Sequence, residues 1–141
     1  MQKLEELMDK KYLAKIIASD KEGLQMVSAC SAGAKVKISD IKYLAENKVF
    51  LLSIERTKIE TNQVDSKVNS ILRFDFIANS KSKNIDQKNK ELVLELIGID
   101  YLKNKDDYEI SLIFNNNAHI ALTTEVIAVT LEDNQTEFKQ K

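Results

Sequence analysis

The sequence of 141 residues has no proline or tryptophan, one histidine, one cysteine and three glycines. The single Cys30 excludes a disulfide within the chain and is typical of a reducing compartment. One histidine and one cysteine cannot build a four-ligand zinc site. The three glycines stand apart, which excludes the glycine-rich loops that bind phosphates or dinucleotides. We therefore expect no metal and no cofactor.

The sequence also has no long apolar run. The longest aliphatic and aromatic run, Val49–Leu52, is far shorter than the roughly 20 residues that cross a bilayer. The first eleven residues are charged throughout and show no secretory signal. We expect a cytoplasmic protein with no membrane contact. Its length predicts one domain over residues 1–141, with a folded core at 12–133 and peripheral ends at 1–11 and 134–141.

Charge is balanced overall but not along the chain. Residues 1–90 carry 17 basic and 12 acidic side chains, whereas residues 91–141 carry 4 and 10. Such a division fits either a nucleic-acid face or basic and acidic strands that neutralise each other across a sheet. The basic residues are dispersed and the isoelectric point is acidic, which favours the second explanation and makes nucleic acid an unlikely partner.

One α-helix is predicted near the N-terminus. A first strand at Tyr12–Ala18 is followed by the capping-box pattern of Ser19 and Glu22, and the helix is expected from about Asp20 to Ala32. Gly33 is a suitable helix stop because glycine accepts a left-handed backbone. A shorter amphipathic helix or a frayed end is expected at Gln2–Lys10.

The rest of the chain alternates between apolar and polar residues with a period of two, which is typical of strands. At Gly98 the apolar set changes face, which predicts a β-bulge or bend. Two stretches, Thr57–Asn69 and Ser80–Lys90, are predicted as loops. The predicted strands include Val36, Ile38, Ile41, Tyr43, Phe50, Leu52, Ile54, Leu72, Phe74, Phe76, Glu91–Leu102, Tyr108–Phe114, Ala118–Thr123 and Val126–Glu132.

These elements predict an α+β fold of mostly antiparallel sheet. We expect about eight or nine strands in a twisted sheet, forming a partly closed barrel or sandwich, with the single main helix against one face or opening. A pleckstrin-homology-like barrel is a candidate relative, although such domains usually place their helix last.

Arginine is rare, with two arginines beside 19 lysines, so each is a candidate for a specific role. Arg56 and Arg73 lie on consecutive predicted strands. A cross-strand ion pair, Arg73 with Glu55 or Arg56 with Asp75, is the simplest explanation. The alternative is an anion-binding site that uses both arginines.

Two further features are candidates for chemistry. The polar stretch Ser80–Lys90, with Lys81 and Lys83, is either a solvated loop or a mobile basic loop that binds an anion. His119 would need an orienting partner to act as a general base, and the sequence names none. A surface histidine on a strand is the favoured interpretation, and we predict no catalytic residue.

The order of several segments resembles a known family. The run from Val36 to Leu44, VKISDIKYL, is similar to a VxVGDIAYL-like stretch and is followed by a strand that ends in Arg56. Further matching segments are Leu72–Asp75, Ile85-Asp86, Leu94–Leu96, the strand ending in Phe114, and Leu131–Asp133. Together they resemble the bacterial domain-of-unknown-function family DUF2948. This resemblance implies a small, stand-alone, intracellular bacterial protein and implies no activity.

Three functional hypotheses follow. The first is a non-catalytic binding or adaptor module for an unknown protein partner or for itself, with a homodimer through an exposed strand edge. The second is an anion or small-molecule binder that uses Arg56, Arg73 and the loop Lys81–Lys90, with Lys81 and Lys83 as its candidate site residues. The third is an enzyme centred on His119 and a nearby carboxylate.

Overall fold

The structure is a computed structural model that describes residues 13–57 and 67–134. In that part of the chain it contains one α-helix and ten β-strands. In chain order they are β1 (Lys15–Ala18), α1 (Lys21–Ser31), β2 (Ala34–Lys37), β3 (Ile41–Leu44), β4 (Val49–Thr57), β5 (Lys67–Phe74), β6 (Ile77–Lys83), β7 (Val93–Lys103), β8 (Tyr108–Phe114), β9 (His119–Thr124) and β10 (Val129–Asp133). The predicted helix Gln2–Lys10 lies outside the described residues, and the domain bounds stay a prediction.

The ten strands form one antiparallel sheet in the order β1-β10-β5-β4-β2-β7-β8-β9-β6, and β3 pairs with β4. The α+β class with a mostly antiparallel sheet is therefore confirmed. The expected partly closed barrel or sandwich is wrong, because the sheet is open and its two end strands are β1 and β6. The pleckstrin-homology-like relationship stays a prediction.

Helix α1 begins one residue later than the capping box predicts. Asp20, not Ser19, is the N-cap, and its side chain accepts a hydrogen bond of 2.8 Å from the backbone N–H of Gly23. A carboxylate at this position also interacts favourably with the helix dipole. The helix buries Leu24 and Val27.

No helix of the described residues is long and apolar enough to cross a membrane.

The helix ends as the sequence predicts. Gly33 has a φ of +84°, a left-handed conformation that suits glycine. Its N–H donates a hydrogen bond of 2.7 Å to the carbonyl oxygen of Leu96 on β7. This turn directs the chain from α1 into β2, beside β7.

One hydrophobic cluster connects α1 with the inner face of the sheet. The rings of Phe50 and Phe74 meet edge to face, with centroids 6.2 Å apart. Burial of each large apolar side chain contributes about 1.5–3 kcal/mol. Phe76, expected on the same face as Phe74, is instead 60% exposed, because β5 ends at Phe74 and Phe76 has a φ of +62°.

The predicted bulge at Gly98 is confirmed. The register between β7 and β8 shifts between Leu96 and Gly98. The next backbone N–H, of Ile99, donates 2.9 Å to the hydroxyl of Ser28 on α1. The bulge therefore lets one long strand change its apolar face and gives α1 a polar contact with the sheet.

A buried ion pair joins three strands. The guanidinium of Arg56 on β4 donates to both carboxylate oxygens of Asp133 on β10, with Nη2 3.0 Å from Oδ1 and 3.2 Å from Oδ2, and both side chains are fully buried. Ser70 on β5 donates to Asp133 at 2.7 Å. The backbone N–H of Ala14 donates to the second carboxylate oxygen at 2.8 Å. The carboxylate thus receives several hydrogen bonds, which a buried charge requires.

The cross-strand ion pairs expected between β4 and β5 are wrong. In the actual register Arg56 lies opposite Val68, and Arg73 lies opposite Leu51. Arg73 instead binds Asp75, two residues along the chain, at 3.0 Å on the surface. The long β5 also starts at Lys67, inside the predicted loop Thr57–Asn69.

Gly33 lies in the left-handed backbone region, where other residues are strained, whereas Gly98 does not. Gly33→Ala should lower the free energy of unfolding by about 1–2 kcal/mol, because a β-carbon is strained in the left-handed region. Gly98→Ala should change it by less than about 0.5 kcal/mol, since an added β-carbon there would meet only the Ser28 hydroxyl at an ordinary 3.6 Å. Urea unfolding measures both values, and equal losses would contradict the assignment.

The two arginines should differ strongly in their contribution to stability. Arg56→Met leaves the Asp133 carboxylate buried without its cation and should cost about 3–5 kcal/mol. Arg73→Met is the matched control, because it breaks an ion pair whose arginine is 52% exposed and should cost less than about 1 kcal/mol. Both are measured by urea unfolding. A similar, small loss for both variants would show that the buried pair does not hold the strands together.

Candidate functional site

A gap separates the end strand β6 from β3. In the part of the chain that the structure describes, β3 pairs only with β4, and β6 pairs only with β9. Two hydrogen bonds, each 2.8 Å long, cross the gap near one end. The Tyr43 hydroxyl donates to the carbonyl oxygen of Ile77, and the backbone N–H of Ile77 donates to the carbonyl oxygen of Lys48. Beyond these bonds the two strands remain unpaired and leave a cleft.

The gap arises where the chain leaves β2. β2 pairs with β4 at a single position, Lys35 with Glu55, and the 3₁₀ turn Ile38–Asp40 follows. The chain rejoins β4 as β3, with Ile41 opposite Leu52. β3 therefore continues along the same edge of β4 as β2, and its own outer edge faces β6.

The cleft has an apolar floor and a polar rim. Its volume is about 290 Å³. The floor is defined as the apolar lining residues, which come from the 3₁₀ turn, β3, β4, β9 and the loop 84–92, and the rim as the polar ones, which come from β3, β6 and the same loop. The lining residues are Ile38, Ile41, Phe50, Ile85 and Ile120 on the floor, and Tyr43, Ser80, Ser82, Gln87 and Lys90 on the rim.

Hydrogen bonds hold the loop 84–92 in place along the cleft. At one end the side-chain amide of Asn84 donates 3.0 Å to the carbonyl oxygen of Asn117. At the other end the carbonyl oxygens of Lys90 and Leu92 accept from the backbone beside β2, at 3.2 and 2.9 Å. Between them Gln87 donates 2.7 Å to the hydroxyl of Ser82 on β6. The position of the rim is therefore fixed by contacts within the protein.

Lys90 is the only charged residue among the described residues that line the cleft. It is exposed, and no ion pair with another described residue involves it. An ammonium group beside an apolar floor can bind the head of an amphipathic anion. The arrangement of charge is that of many small-molecule sites, where a few polar groups orient an apolar body.

The four residues expected to bind an anion lie in three different places. Arg56 is buried against Asp133, and Arg73 lies on the surface of β5 beside Asp75. Lys81 and Lys83 are exposed on β6, where they alternate with the two serines that line the cleft. The structure therefore does not bring the two arginines together, and anion binding by these residues stays a prediction.

The stretch Ser80–Lys90 is only partly a loop. Residues 80–83 belong to β6 and pair with β9, with Ser80 opposite Leu122 and Lys83 opposite His119. This strand lacks the alternation of apolar and polar residues that predicts a strand, because its inward residues after Ile77 are serines, which line the cleft instead of the core. One signal was available: Ile85 is the only apolar residue of the stretch, and it lines the cleft.

His119 begins β9 on the side of the sheet that faces away from the core. It is half-buried, and its cross-strand neighbours are Ile113 and Lys83. Neither neighbour carries a carboxylate that could orient the imidazole. Among residues 13–57 and 67–134 there is also no group of three histidine, cysteine or acidic side chains arranged to hold a metal.

Comparison with known proteins identifies a family. No curated protein and no solved structure matches the chain. A family model described as "Protein of unknown function (DUF2948)" matches residues 14–141. This range includes all ten strands, the helix and the cleft, and it confirms the resemblance noted in the sequence. The chain therefore belongs to the DUF2948 family.

Proposed function

We propose that the protein is a non-catalytic binding module that takes a small amphipathic organic anion into the cleft between β3 and β6. The observation that supports this proposal is the combination of an apolar floor with one lysine of the rim, Lys90, that forms no ion pair with another described residue. The ligand would place its apolar body on Ile41, Phe50 and Ile120. Its anionic head would lie beside Lys90.

Most of the binding free energy would come from the apolar body. Each buried methylene contributes about 0.8 kcal/mol. An exposed ion pair contributes only about 0–1 kcal/mol, and Lys90 is exposed. The lysine would therefore determine which head group is preferred, while the length of the apolar part would determine the affinity.

The preformed rim supports binding of a small ligand. The loop 84–92 is already held at both ends and by Gln87, so little conformational entropy is lost when a ligand enters. The volume of about 290 Å³ lies at the lower end of the range for ligand pockets. A short aliphatic or aromatic carboxylate has a suitable size and charge.

This proposal belongs with the small-molecule hypothesis drawn from the sequence, but it changes the residues. Lys90, which belongs to the predicted loop Lys81–Lys90, is the cation in place of Arg56, because Arg56 is committed to a buried carboxylate. Lys81 and Lys83 lie on the opposite side of β6 from the cleft. The serines between them, Ser80 and Ser82, take their place as polar contacts.

Straight-chain carboxylates should raise the melting temperature in proportion to their length until the cleft is full. At ten times the dissociation constant the stabilisation is about 1.4 kcal/mol, which corresponds to a shift of roughly 3–6 °C for a domain of this size. Thermal-shift measurements from acetate to octanoate, beside the alcohols of the same length, would show this trend. At each chain length the carboxylate should raise the melting temperature more than the alcohol does.

Lys90→Gln should remove the difference between carboxylate and alcohol but keep the dependence on chain length. Lys88→Gln is the matched control, since Lys88 is an exposed lysine of the same loop that does not line the cleft. It should behave like the unaltered protein. The proposal fails if no carboxylate shifts the melting temperature at millimolar concentration, or if the two lysine variants respond alike.

A further inference from the structure

The side of β7, β8, β9 and β6 that faces away from the core presents a regular surface, here called the outer face. The register of the four strands arranges its residues in three rows, each running from β7 to β6. The rows are Gly98, Ile113, His119, Lys83; Asp100, Ser111, Ala121, Lys81; and Leu102, Glu109, Thr123, Asn79.

Charge on the outer face is divided between its two sides. Lys81 and Lys83 lie on β6, and Asp100 and Glu109 lie on β7 and β8. None of these four side chains forms an ion pair with another described residue. The only hydrogen bond that the structure gives them is local: Asp100 accepts from the backbone N–H of Tyr101 at 2.8 Å.

Exposed apolar side chains lie between and beside these charges. Ile113 is 39% exposed in the first row, and Ile97, which the bulge at Gly98 places on the same side, is 50% exposed. Leu102, in the third row, is 62% exposed. An apolar patch flanked by unpaired charges is typical of a protein-binding surface.

We infer that the outer face binds a second copy of the same chain. The proposed two-fold axis runs parallel to the strands, above the line between β8 and β9. It places β6 of one copy over β7 of the other, and it places each row of one copy over the same row of the other. Lys81 then lies over Asp100 of the second copy, and the reverse pair forms at the same time. Because a two-fold interface pairs a surface with itself, it needs this self-complementary arrangement.

Other partners fit the charge pattern less well. The face carries two basic and two acidic side chains, so a nucleic acid or an anionic lipid surface would meet Asp100 and Glu109 as well as the lysines. The three rows of four residues span only roughly 15 Å in each direction. This is less than the about 800 Å² per partner of a stable interface, so the dimer should be reversible and sensitive to salt.

Sedimentation velocity over about 1 µM to 1 mM protein should show a monomer–dimer equilibrium that weakens as salt is added. Lys81→Asp and Asp100→Lys should each lower the association constant at least tenfold, because like charges then meet across the axis. An equal mixture of the two variants should form a heterodimer. One variant is acidic at both positions 81 and 100 and the other is basic at both, so opposite charges meet at each contact across the interface. The double variant K81D/D100K should restore self-association.

Lys42→Asp is the matched control, since Lys42 is an exposed lysine on β3 and lies outside the outer face. It should dimerise like the unaltered protein. If Asp100→Lys does not fold, Asp100→Asn keeps an acceptor for the N–H of Tyr101 and should still weaken association. A monomer at every concentration overturns the inference. So does a failure of folded charge-reversal variants to recover association when mixed.

Discussion

The buried pair of Arg56 and Asp133 is the interaction on which the arrangement of β4, β5 and β10 depends. Its carboxylate accepts hydrogen bonds from β4, from Ser70 on β5 and from the backbone of Ala14 just before β1. A charge in this position is tolerated only because each oxygen has partners. The pair therefore fixes the register of strands that apolar contacts alone would hold less specifically, and it connects the region before β1 to the end of β10.

The cleft exists because the same edge of β4 serves two short strands. The 3₁₀ turn between β2 and β3 carries the chain past the position where β2 pairs with β7, and β3 is left without a partner on its outer side. The polar strand β6 lies across the gap, and the loop 84–92 covers part of it. A departure from regular pairing thus produces the cleft, while the rest of the sheet keeps it in shape.

Local sequence patterns correctly predicted the elements that form from neighbouring residues and do not depend on distant parts of the chain. The strand Tyr108–Phe114 and the left-handed stop at Gly33 agree with the structure because alternation and backbone preference are properties of a few neighbouring residues. The bulge at Gly98 was visible as a change of apolar face. The N-cap was wrong by one residue, since serine and aspartate are both good caps and only the chain geometry selects Asp20.

Features that depend on distant residues could not be predicted. The partner of Arg56 follows 77 residues later, and no local pattern identifies it. The cleft combines β3, β6 and Ile120, which come together only through the order of the strands. β6 itself was missed because its inward serines face a cavity. An alternating pattern of apolar residues marks strands that cover a core, so a strand that lines an opening lacks it.

The position of β10 between β1 and β5 has a consequence for the order of folding. β1 pairs only with β10 among the described strands, and the two meet across a separation of 119 residues between Ala14 and Asp133. During synthesis, β5 is complete long before β10 and keeps an unpaired edge, while β1 has no strand to join. Such an edge can pair with another nascent chain. β10, the last strand among the described residues, therefore covers the open edge of β5, and that edge stays available for misassociation until residue 133 has left the ribosome.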